Sequence, residues 1–130
     1  MIIRELPLPI PENSLPLYLK SAEKTVFFDI ETTGLSWRSS HLYLIGAAFF
    51  QEGRFFLRQW FLEKPQEEAE VLEQFSGFLR KFTTAVHYNG QTFDLPYLIH
   101  KYAFYHLEDP LSGLESLDLY RVLRPWQKLF

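Results

Sequence analysis

The sequence predicts an α/β domain, a mixed β-sheet with helices packed on it. Three observations carry this expectation. Strand-forming apolar runs follow one another in the first half of the chain, and helical periodicity alternates with short strands in the second. The length of 130 residues suits one compact domain and is too short for two ordinary ones.

Residues 1 to 24 contain Pro7, Pro9, Pro11 and Pro16. Each proline fixes its own φ and turns its predecessor away from helix, so this stretch reads as an extended, proline-rich lead-in. The domain proper is expected over 25 to 130. "TVFFDI" (25 to 30) reads as a short buried strand, and "HLYLIGAAFF" (41 to 50) and "GRFFLRQWF" (53 to 61) as two more. The short polar link Gln51-Glu52-Gly53 signals a hairpin between the latter two.

In "PQEEAEVLEQFSGFLRKF" (65 to 82), Val71, Leu72, Phe75, Phe78, Leu79 and Phe82 recur at helical spacing. Acids come early and Arg80 and Lys81 late, as the helix dipole prefers. "TAVHY" (84 to 88) is a fourth strand. "TFDLPYLIHKYAFYHL" (92 to 107) is a second helix, which accommodates Pro96 only in its first turn, where the missing N–H had no partner. "LSGLES" (111 to 116) reads as a loop, and "LDLYRVL" (117 to 123) as a fifth strand running into a helix or as the start of that helix.

Composition narrows the chemistry. Apolar residues make up 47% and charged residues 22%, a globular balance. With no cysteine there is no disulfide framework, thiolate metal site or cysteine nucleophile, so any metal is held by oxygen or imidazole. A net charge of -3 argues against non-specific nucleic-acid binding through bulk positive charge, though not against a local groove. The prolines interrupt any signal-peptide core, and no apolar run approaches the ~20 residues that span a bilayer. A soluble, cytoplasmic protein is expected.

Two stretches carry acids in suggestive positions. In "VFFDIETTGL" (26 to 35), Asp29 and Glu31 lie two apart on a strand and therefore point to one face. Alone, they read more simply as an acidic strand end. In "HYNGQTFDLPYL" (87 to 98), Asn-Gly leads into a helix and Asp94 falls in its first turn, where an acid is favoured by roughly 0.3–1 kcal/mol. Three carboxylates brought together repel one another and have raised pKa values unless a cation joins them. Mg²⁺ or Mn²⁺ prefers such oxygen ligands, and a pair of these ions serves phosphodiester cleavage.

"FDIETTGL" and "HYNGQTFDLPYL" resemble the first and second exonuclease motifs of the DEDD 3′–5′ exonuclease superfamily. The likeness is to the YprB-type exonuclease domain, and also to the proofreading domains of family B DNA polymerases. It covers residues 25 to about 124. It implies a ribonuclease H-like fold, a five-stranded mixed sheet of order 3-2-1-4-5 with strand 2 antiparallel and flanking helices. It implies a two-metal hydrolysis of terminal phosphodiesters at the 3′ ends of single-stranded DNA or RNA. Asp29 and Glu31 match the first-motif metal ligands and Asp94 the second-motif Asp; Glu31 would also orient the attacking water. Asn89 and Phe93 match positions that shape the corner and contact the terminal nucleotide. Thr32, Gly34 and Leu35 match the loop that lies against the terminal base.

The family has a fourth acid in a Tyr-x3-Asp or His-x3-Asp motif on a C-terminal helix after the fifth strand, and no such pattern follows Asp118 in this sequence; Tyr105-x3-Asp109 comes before that strand. The chain is therefore expected to be either cut short at its C-terminus or a natural remnant, which leaves a non-catalytic nucleic-acid-binding or assembly module as the alternative function. A larger parent protein or an oligomer is a possible partner, with "RPWQKLF" (124 to 130) as an apolar docking end. Asp118 reads as a cap on the following helix, with metal binding the lesser alternative. Trp37 and Arg38, just after the first motif, are candidates for substrate contact. Arg121, Arg124 and Lys128 read as a solvated helix face, with phosphate tracking the alternative. His41, His87, His100 and His106 read as structural.

Overall fold

The computed structural model describes residues 1–8 and 23–119. Six strands form one sheet: β1 (Ile2–Leu8), β2 (Thr25–Thr32), β3 (Leu42–Gln51), β4 (Arg54–Phe61), β5 (Thr84–His87) and β6 (Glu115–Asp118). Two helices accompany it, α1 (Glu68–Leu79), entered through a 3₁₀ turn at Pro65–Glu67, and α2 (Asp94–Phe104). The strand order is β1-β4-β3-β2-β5-β6.

Strands β2, β3 and β4 pair antiparallel, and β5 and β6 add to β2 in parallel. From β4 to β6 this is the implied ribonuclease H-like order, with its second strand antiparallel. The sixth strand comes from the lead-in. Ile2–Leu8, which contains Pro7, is extended as expected of the lead-in and pairs antiparallel with β4 as an edge strand. The fifth strand expected from sequence begins earlier than "LDLYRVL". Parallel register with β5, Thr84 opposite Glu115 through His87 opposite Asp118, draws Glu115 and Ser116 out of the predicted loop. Arg121, Arg124, Lys128 and the apolar end lie outside the described residues.

The hairpin joining β3 to β4 turns on Glu52 and Gly53, both at positive φ (51° and 79°). That backbone matches the right-handed twist of the flanking strands. Pro96 sits in the first turn of α2, where it costs no intrahelical hydrogen bond.

Alternation along the strands decides which face is covered. Val26, Phe28 and Ile30 of β2 are buried with Ile45, Ala47 and Phe49 of β3 and Trp60 of β4. They pack on the stripes Val71, Leu72, Phe75, Phe78 and Leu79 of α1 and Tyr97, Leu98 and Tyr102 of α2. Edge-to-face rings lock the centre: Phe28 on Phe75 with centroids 5.7 Å apart, and Trp60 on Phe78 at 5.1 Å. Among the described residues both helices lie on this one face. On the other, Phe27, Asp29 and Glu31 are exposed. Phe27, Leu44, Ala48 and Leu57 there line a concavity of ≈ 510 Å³ that reaches Asp29 and Glu31. No helix among the described residues is long and apolar enough to cross a membrane.

Candidate active site

The site forms where β5 ends. In the parallel pairing Phe27 lies opposite Val86, and β5 stops one residue later at His87. From Asp29 onward, no strand among the described residues lies on that flank of β2. The first turn of α2 fills the gap and brings the Asp94 carboxyl near the Ile30 backbone amide. On the other flank, the pairing with β3 slips between Glu31 and Thr32, so Tyr43 is an extra residue there. This bulge twists the strand end that carries the acids.

Asp94 is buried at 7% exposure, and its carboxyl faces Asp29 at hydrogen-bonding range with Glu31 nearby. Burial first, then the contact with Asp29, push Asp94 up to about 7 from the ordinary 3.8. Its Oδ2 is enclosed without a hydrogen-bond partner among the described residues. A buried oxygen left without a partner is costly, and a divalent cation would relieve both that cost and the repulsion between the acids. The donor set, carboxylate oxygens alone, suits Mg²⁺ or Mn²⁺. Among the described residues no three acid or imidazole groups stand close enough together to hold a metal ion as they are.

The corner between β5 and α2 is built around Asn89 and Gly90. Asn89 adopts the left-handed conformation, φ 57°, which asparagine tolerates better than most residues. Its N–H donates to Asp118 Oδ1 at 2.7 Å. The Gly90 N–H donates to His87 Nδ1 at 3.2 Å, so His87 Nε2 carries the proton and donates to Ser116 Oγ at 2.6 Å. Burial lowers the pKa of His87, consistent with that neutral tautomer. The Gly90 carbonyl accepts the Leu95 N–H at 2.7 Å, which fixes where α2 begins and hence where Asp94 stands.

The other sequence candidates fall in three places. Thr32, Gly34 and Leu35 continue from the end of β2: Thr32 Oγ1 donates to the Gly34 carbonyl at 2.8 Å, and Leu35 stands 88% exposed. Phe93 flanks Asp94 and packs edge-on against Tyr97, centroids 5.4 Å apart. Trp37 and Arg38, in the loop after β2, lie against the later part of α2. The Trp37 ring stacks flat on His100 at 5.2 Å, and the Arg38 guanidinium lies 5.4 Å from the Trp37 centroid. Asp118 is two strands from β2, roughly 10 Å across the sheet at the usual spacing. Its Oδ1 reaches the corner that carries Asn89.

Sequence reasoning passed over a buried polar group beside this site. Glu68 of α1 and Lys101 of α2 form an ion pair at 3.1 Å, 2% and 5% exposed. A signal existed for both. Glu68 falls on the stripe 68, 71, 72, 75 and Lys101 on the stripe 94, 97, 98, 101, 102, so each charge sits where helical spacing puts apolar residues.

A family model described as the RNase_H superfamily matches residues 26–129. Similar solved structures include product-bound exonuclease I, with TM-score 0.62 and 16% identity over 79% of this chain and 31% of that one. Apo exonuclease I gives TM-score 0.64 and 16% identity over 81% and 31%. E. coli exonuclease I in complex with a dT13 oligonucleotide gives 0.62 and 16% over 79% and 29%. The chain thus spans about three-tenths of the length of the structures it matches, and at this identity the likeness is one of fold. No curated protein matches it.

Proposed function

This chain belongs to the RNase H superfamily, and on that premise we propose that it is a metal-dependent 3′–5′ exonuclease hydrolysing terminal phosphodiesters of single-stranded nucleic acid. The observation that carries the reading is the meeting of the Asp94 and Asp29 carboxyls beyond the end of β5, with Glu31 two residues along the same face. Asp29, Glu31 and Asp94 would hold Mg²⁺ or Mn²⁺, which supplies the Lewis acidity for attack on the phosphodiester and departure of the leaving oxygen.

The chain's own residues do the rest. Asp94 releases its raised-pKa proton when the site fills. Glu31, exposed at the strand end, accepts a hydrogen bond from the attacking water and orients it. Leu35, Gly34 and Thr32 offer an exposed edge to the terminal base, and Asn89 and Phe93 bound the opposite side. One of the similar structures is exonuclease I with dT13, and another is a zinc-ion-bound exonuclease I–single-stranded DNA complex. Both support single-stranded nucleic acid as the partner; that its 3′ end is engaged, and that it is DNA or RNA, is part of the proposal.

The alternative reading is a nucleic-acid-binding or assembly module with a degenerate exonuclease site. Incubation with a labelled single strand and Mn²⁺ separates the two. The exonuclease reading expects stepwise shortening that Asp29→Ala abolishes; binding without turnover decides for the module.

A further inference from the structure

We infer that Glu68 and Lys101 are positioning residues that hold the loop 33–41 as a preformed wall for the terminal nucleotide. The role of that wall rests on the exonuclease reading; the clamp itself rests on geometry. A buried ion pair is seldom more stabilising than an apolar pair of the same size, so its value lies in what it fixes.

The contacts converge on the loop. Glu68 Oε1 accepts from Lys101 Nζ at 3.1 Å and from the Tyr105 hydroxyl at 2.5 Å, and its Oε2 accepts the Leu42 N–H at 2.8 Å. Lys101 Nζ also donates to the Ser40 carbonyl at 2.9 Å. The pair therefore grips backbone groups on both sides of His41, where the loop rejoins β3. At the same neck Thr33 N–H donates to the His41 carbonyl at 2.9 Å, and His41 N–H to Thr33 Oγ1 at 2.9 Å.

A second tier closes the loop on itself and on α2. Ser40 Oγ donates to the Ser36 carbonyl at 2.5 Å and pairs with the Tyr97 hydroxyl at 2.8 Å. A side chain at Gly34 would press on Ser40, its Cβ 3.2 Å from the Ser40 Cβ. Trp37 lies flat on His100, the two rings only 2° from parallel. The loop is thus docked along the helix whose first turn places Asp94, and the clamp sets the gap between Leu35 and that turn. A group that shapes ground-state and transition-state binding alike acts on KM more than on kcat.

The test uses the full chain and the double substitution Glu68→Gln with Lys101→Met, which removes both charges at similar volume. Ser40→Ala serves as a second variant should the first not fold. Amide hydrogen exchange across residues 33–41 is expected to quicken by roughly tenfold in either variant, as these hydrogen bonds weaken. With a labelled single-stranded deoxyoligonucleotide and Mn²⁺, KM rises by about tenfold while kcat changes by less than about threefold. Unchanged exchange in the loop overturns the clamp. A fall in kcat at constant KM overturns its positioning role. If the wild-type chain does not cut, the exonuclease reading fails separately. Anisotropy with the same oligonucleotide then decides: weaker binding alongside faster exchange supports the clamp, and unchanged binding overturns it.

Discussion

Asp94 on α2 faces Asp29 on β2 across the gap left by the short strand β5. The distance between the acids in sequence is closed by topology: β2 and β5 are neighbours, and β5 stops one residue after Val86 pairs with Phe27. An end of sheet that would otherwise expose β2 becomes a place where a helix turn delivers a third acid. This relationship makes the metal-free site an unfavourable arrangement, and its consequences can be measured.

The first consequence is a pH-dependent stability. The folded protein holds the Asp94 proton up to about pH 7, whereas the unfolded chain releases it near the ordinary 3.8. The contribution is fully present below the unfolded value and is lost as pH rises through about 7. Discounted for solvent on the Asp29 side, the loss is about 2–3 kcal/mol. Urea titrations of metal-free protein should therefore find Asp94→Asn more stable than wild type at pH 8 by about that amount, and equal to it at pH 4. Parallel stability–pH curves for the two proteins would refute the assignment.

The second concerns metal. Ligand carboxylates bind in their ionised form, so cation binding at Asp94 displaces its proton. Mn²⁺ should raise the melting temperature at pH 8 and do so far less at pH 5. Asp29→Asn should remove most of the shift at both. A shift equal at the two pH values, or one untouched by the substitution, would place the ion elsewhere.

Asp118 separates a corner anchor from a metal ligand. Its Oδ1 accepts the N–H of left-handed Asn89 at 2.7 Å, a charge-assisted bond in a buried setting. Asp118→Ala should cost about 1–3 kcal/mol of stability by denaturant titration. If the corner is its role, the Mn²⁺-induced rise in melting temperature survives in the variant. Loss of that rise with little loss of stability would instead favour ligation.

Much of this site could be read in the sequence because its signals are local. The i, i+2 spacing of Asp29 and Glu31 gives their common face, and the Asn-Gly corner locates the start of α2. β1 was harder to see: six of its seven residues are exposed, so it lacks the alternation that marks a strand packed on a core. The Glu68–Lys101 pair is hidden for another reason. Its partners lie 33 residues apart and each alone passes for a surface charge, although each breaks an apolar stripe. The strand order came from the resemblance, since periodicity finds strands without saying which ones are neighbours.

Gly90 is needed for the corner by a close approach. A Cβ there would stand 2.4 Å from His87 Nδ1 and 2.7 Å from its Cγ, inside contact distance of a ring fixed by Ser116. Gly90→Ala should therefore destabilise by about 1–3 kcal/mol, in the range of overpacked sites. Adding His87→Ala should recover part of that loss, a non-additivity that a double-mutant cycle would read directly. Strict additivity would show that the two residues do not share the space.

Leu35 is the opposite case, a large apolar side chain that the fold does not use. At 88% exposure it contributes little packing, so Leu35→Ala should leave the unfolding free energy within about 0.5 kcal/mol. The loop beneath it is held by Thr32 Oγ1 and Ser40 Oγ, so the side chain is presented on a fixed backbone. If it lies against the terminal base, covering it is worth about 1 kcal/mol and its loss weakens single-strand binding by roughly fivefold. Anisotropy with a labelled single strand, paired with a stability measurement on the same sample, checks both halves. Equal affinity in the variant would remove Leu35 from the nucleic-acid interface, and a large loss of stability would mean that its side chain packs where the fold leaves it open.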